Sequence, residues 1–119
     1  MKATFNLWLT KNVRIHGVLA GGIRYPDSSA FSQSLSDAFS QPACDNAMRG
    51  LSDVFKVLQL NRLPSEMTRL SFQDGTLHAA RRTDGVCLGV FTLRDPNDYD
   101  ADELGRILKT FLHLTAAPG

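Results

Sequence analysis

Residues 67–93 read MTRLSFQDGTLHAARRTDGVCLGVFTL, and this stretch decides the fold. Asp74-Gly75 and Asp84-Gly85 interrupt three β-rich runs at near-equal spacing. Glycine tolerates positive φ, so Asp-Gly between such runs favours a tight hairpin turn, and two in series make a three-stranded antiparallel meander. In the first run Thr68, Leu70 and Phe72 alternate with Arg69, Ser71 and Gln73, the pattern of a strand with one covered face. The last run, Val86 to Leu93, is apolar almost throughout. A strand of that kind belongs at the centre of a sheet, covered on both sides.

Downstream, Asp95, Pro96 and Asn97 end the sheet, and Asp100 with Glu103 resembles a capping box. Leu104, Ile107, Leu108, Phe111 and Leu112 then fall at helical spacing, with Arg106, Lys109 and His113 on the outside or near the end, where the helix dipole favours cations. Residues 115–119 are expected to form a flexible tail. Upstream, a second helix is predicted from about Ala43 to Leu60, opened by Pro42 or capped by Asp45 and closed before Pro64. Ala47, Leu51, Val54 and Leu58 centre its apolar face; Gly50 and Val57 widen one flank, Met48 and Phe55 the other. That arc spans roughly 180°, wider than the ~100° stripe that covers one core face, so the helix should touch the sheet and a second partner.

Further back, VRIHGVLAGGIRY at Val13 to Tyr25 reads as one long strand whose Gly17, Gly21 and Gly22 let another element pack closely. Pro26-Asp27-Ser28 makes a turn into a short second strand, Ala30 to Ser34. Thr4 to Lys11 places Phe5, Trp8 and Leu9 on one helical face, with Thr4 as N-cap and Asn12 as stop. The order is αββαβββα, an α+β domain with an antiparallel sheet and helices on both faces.

The 119 residues, 43% of them hydrophobic, suit a single domain spanning 1–119. Thirteen Lys and Arg against twelve Asp and Glu leave a net charge of +1, which argues against general nucleic-acid binding. Two cysteines without CxxC spacing fit reduced thiols in the cytoplasm. The apolar start breaks at Thr10-Lys11-Asn12 before a signal core develops, and no run reaches the ~20 residues of a membrane span, so a soluble protein is expected.

Motifs for chemistry are sparse. His16, His78 and His113 are expected on a strand, a strand and a helix, with neither HxxxH nor CxxC to suggest a metal. Asp98, Asp100, Asp102 and Glu103 form a dense acidic cluster, but carboxylates at a helix start satisfy free N–H groups. The glycines of the first strand match no phosphate loop, and none of the serines between Pro26 and Pro42 sits in GxSxG. Cys87 should be a buried, inert thiol; Cys44, near a helix start, is the better candidate for a lowered pKa. Arg62, Arg69, Arg81 and Arg82 could gather into a basic patch, against which stands a simply solvated hairpin end. No base–nucleophile pair or metal constellation assembles from spacing, so no catalytic, metal or cofactor residue is assigned and an enzyme has the least support.

With the element order in place, the chain resembles the roadblock family of dynein light chains and bacterial GTPase regulators. The features that carry the resemblance are IHGVLAGGIRYPDSS as first hairpin, the helix around AMRGLSDVFKVL, and LSFQDGTLHAARRTDGVCLGVFTL as meander. A departure is Pro26-Asp27-Ser28, where a typical member has an Asp-Gly type of turn. The resemblance implies a profilin-like five-stranded sheet in the order 2-1-5-4-3, a homodimer joined through the long helix and the third strand, and a non-catalytic role. Such a protein would scaffold or regulate a small Ras-like GTPase, pair with a second roadblock-like protein, or serve as a subunit of a larger complex. In that order Met67 to Gln73 is an edge strand without proline, and an unprotected edge invites an identical one. Met48, Phe55, Val57, Met67, Arg69, Leu70, Ser71 and Phe72 are the expected dimer interface, or the core directly beneath it. The alternative is a profilin-like small-molecule sensor, which needs a pocket between sheet and helix lined by a residue such as His16 or His78.

Overall fold

A computed structural model of the chain describes residues 2–27, 29–37, 40–60, 67–71 and 75–114, without the side chains of residues 49 and 52–60. The elements are α1 (Lys2–Asn12), β1 (Val18–Arg24), β2 (Ala30–Ser34), α2 (Gln41–Leu60), β3 (Met67–Ser71), β4 (Thr76–Arg81), β5 (Cys87–Thr92), a 3₁₀ turn (Pro96–Asp98) and α3 (Ala101–His113). The strands form one antiparallel sheet in the order β2-β1-β5-β4-β3. As the meander predicts, β5 is the middle strand and every residue of it is buried.

The alternation along β5 sorts the core into two layers. Leu88 and Val90 face α1 and α3 with Phe5, Leu9, Ile107 and Phe111. Cys87 and Phe91 face α2 with Cys44, Met48 and Leu51. Gly22 and Gly89 are cross-strand partners on this second face. A Cβ at Gly22 would lie 2.5 Å from Met48 Cγ, and one at Gly89 3.2 Å from Met48 Sδ. The two glycines therefore form a trough that seats Met48, the close packing expected of the glycine-rich strand.

Several local expectations need correction. The first strand starts at Val18, not Val13: Gly17, with φ 82°, helps close a turn in which Val18 N–H donates to the Ile15 carbonyl at 3.0 Å. His16 consequently lies in that turn rather than on a strand. Helix α1 begins at Lys2, so Thr4 is inside it and is not its cap. Helix α2 is capped by Ser40, whose Oγ accepts from Ala43 N at 3.3 Å; Asp45 lies inside the helix and holds Ser32 and Gln41. Only half of the capping box forms at α3. Asp100 accepts from Glu103 N at 3.1 Å, but Glu103 turns to Arg106, and the Asp100 N–H donates to the His16 carbonyl at 3.1 Å.

The Asp84-Gly85 turn has a three-residue loop. Gly85 N–H donates to the Arg82 carbonyl at 3.0 Å and Arg82 N–H to the Val86 carbonyl at 2.9 Å, with Gly85 at φ 89°, the arrangement of a turn closed by a bulge. Asp74 of the other turn lies outside the described residues, as do Ser28, Arg62, Pro64 and residues 115–119.

Candidate functional site: the β3 edge and its cleft

Among the described residues, strand β3 has β4 on one side and no strand on the other, the position of a sheet edge. Its burial alternates as its sequence does: Thr68 and Leu70 are half-buried, while Met67 (41%), Arg69 and Ser71 are exposed. Leu70 packs against the α2-side core. Helix α2 lies chiefly over β2, β1 and β5, leaving the β3 margin towards the end of its cover. Of the residues expected at an interface, Met67, Arg69, Leu70 and Ser71 stand on this edge. Met48 is only 1% exposed and belongs to the core beneath. Phe72 and the side chains of Phe55 and Val57 lie outside the described residues.

The opposite face of β3 and β4 and the outer side of α3 enclose a cleft of about 400 Å³. Register places Arg69 directly beside His78 on β4, and both line the cleft. Lys109 approaches from α3, with Leu104 and Leu108 as apolar floor and Tyr99 at the end. His78 is 5% exposed. Burial, reinforced by the Arg69 guanidinium, pushes its imidazole down to about 4, so the ring is neutral near pH 7. Its Nε2 lies 3.0 Å from Thr92 Oγ1, and that hydroxyl gives its one proton to the Leu93 carbonyl at 2.8 Å. Thr92 must then accept from His78 Nε2–H, which leaves Nδ1 as the ring's acceptor. The Tyr99 ring meets the imidazole edge-on, centroids 5.2 Å apart.

The other polar candidates resolve into structural roles. Cys44 is 1% exposed, and burial, then the neighbouring Asp45 carboxylate, pushes its thiol up, against the expectation of a lowered pKa at the helix start. Burial likewise raises Cys87. Arg82 is not part of a basic patch: its side chain is 11% exposed, pairs with Asp84 at 3.1 Å, donates to the Phe111 carbonyl at 2.5 Å and lies over the Phe5 ring at 4.9 Å. It thereby ties the β4–β5 turn to the C-terminus of α3, where the dipole favours a cation. Among the described residues no group of three His, Cys, Asp or Glu could hold a metal ion, and no helix is long and apolar enough to cross a membrane.

Sequence reasoning singled out Arg69 and His78 separately and did not bring them together with Lys109. The meander's register implies the first pairing, and a histidine inside TLHAA was its signal; Lys109 joins only through the docking of α3.

Two solved structures are similar to this chain in fold. The Roadblock/LC7 domain from Streptomyces avermitilis superposes with a TM-score of 0.65 at 17% identity, over 88% of this chain and 89% of that one. The chain has a roadblock-like fold. MglB of Myxococcus xanthus is a second such neighbour, with a TM-score of 0.53 at 13% identity, over 87% of this roadblock-like chain and 90% of MglB. No protein-family model matches the sequence, and no curated protein matches it. At these identities the likeness lies in the fold.

Proposed function

We propose that this roadblock-like chain acts as a non-catalytic homodimer that scaffolds or regulates a small Ras-like GTPase, alone or as a subunit of a larger complex. The open, proline-free β3 edge carries this reading, because outward backbone groups on one copy match those on an identical copy related by a two-fold axis. The proposed interface takes in Met67, Arg69, Leu70 and Ser71 of the strand, with Met48 in the core beneath, and extends to Phe72 and the side chains of Phe55 and Val57, which lie outside the described residues. A stable pair of this kind buries at least about 1,200 Å² in total. A second roadblock-like protein could occupy the same edge in place of an identical copy. The function then lies in a surface made by two chains, not in a reactive group of one.

The test is affinity capture from the native host with the tagged protein, run with GDP and with a non-hydrolysable GTP analogue. The expected result is a small GTPase retained in a nucleotide-dependent manner and lost with Leu70→Glu. Absence of any GTPase under both conditions, with the protein verified as folded, contradicts the regulatory reading.

A further inference from the structure

The cleft between β3–β4 and α3 borders the β3 edge and shares Met67 and Arg69 with it. At about 400 Å³ it falls in the range of small-molecule sites, which are concave and mostly apolar with a few convergent polar groups. Arg69 and Lys109 approach it from different elements, and among the described residues neither has a carboxylate partner. Tyr99, 5% exposed, adds its ring and hydroxyl to the lining. Two cations from different elements, a tyrosine and an apolar floor around one cleft match an amphipathic anion.

We propose that this cleft binds a small organic acid, its anionic head between Arg69 and Lys109 and its apolar body against Leu104 and Leu108. The guanidinium matches a carboxylate or phosphate through paired N–H donors, and the ammonium adds a point charge. Tyr99 donates to the head or to a neighbouring oxygen. His78, held neutral with Nε2–H committed to Thr92, contributes a ring wall and an acceptor for a hydroxyl or amine on the acid.

The experiment is a titration of the full chain with benzoate, hexanoate and phenyl phosphate, and with the neutral benzamide and hexanamide, followed by the ring resonances of His78 and Tyr99. At least one acid should shift both rings saturably and bind at least about tenfold tighter than its neutral isostere, the factor expected of a charge-assisted contact. The carboxylate and phosphate arms separate the two head groups. Lys109→Gln, on α3 and remote from the open edge, should weaken binding about tenfold without changing the oligomeric state measured in parallel. Failure of all three acids to shift His78 and Tyr99, equal binding of acid and amide, or unchanged affinity in Lys109→Gln overturns the proposal. None of those results bears on dimerisation, which is read by the oligomeric state alone.

Discussion

The centre of the sheet and its β3 margin are built from the same kind of residues and used in opposite ways. In β5 all six residues are buried, and the glycines beside it admit a methionine from α2 closer than any side chain would allow. In β3 burial alternates, the backbone is paired on one side among the described residues, and its residues line a cleft. The contrast teaches that stability is concentrated where both faces are covered, leaving the margin free to vary in what it meets.

That division predicts a gradient of mutational effects. Leu88→Ala, on β5 and fully buried, should destabilise the fold by about 3 kcal/mol in denaturant unfolding, the cost of lost burial plus a cavity. Met67→Ala on the exposed edge should change the same quantity by less than about 0.5 kcal/mol. Similar losses at the two sites would dissolve the contrast.

A second expectation concerns pH. His78 titrates near 6.5 in the unfolded chain and at about 4 in the fold, so between these values the unfolded state binds more protons. Stability is therefore complete above about pH 6.5, falls on acidification towards pH 4 and levels off below, by on the order of 3 kcal/mol for this one group. Denaturant midpoints measured across that window check it, and His78→Gln should remove most of the slope if the protein still folds. Gly22→Val tests the Met48 trough. Forcing a branched side chain against Met48 Cγ should cost about 2 kcal/mol by overpacking, partly offset by the lower entropy of the unfolded valine chain. Leu70→Glu is expected to cost about 1 kcal/mol in stability because Leu70 is only half-buried, while its effect on self-association should be large.

Much of the architecture was legible in the sequence because its signals are local and repeated. Alternation in Met67–Ser71, unbroken apolarity in Cys87–Thr92 and the 3.6-residue rhythm of Leu104–Phe111 each report burial along one element. Glycines packed beneath a helix were legible too, since a strand has little other use for them. Local turn chemistry was less so. Gly17 reverses the chain before β1 starts, and nothing in VRIHGV distinguishes that turn from a continuing strand. Ser40 outcompetes Asp45 as a cap because the chain enters α2 earlier than its apolar rhythm begins. Least legible were contacts between distant elements. Arg82 looked like one of four surface arginines, and its place over Phe5 and on the Phe111 carbonyl depends on how α1 and α3 dock together. The cleft has the same origin: Arg69 and His78 meet through strand register, but Lys109 reaches them only after α3 has folded across the sheet.

The most direct measurement of the central claim is sedimentation velocity of the unmodified chain at micromolar concentration beside Leu70→Glu. A species of twice the 13.1 kDa chain mass that dissociates in Leu70→Glu, with secondary structure retained, is the predicted result. A monomer across that range, or a dimer indifferent to the substitution, contradicts it.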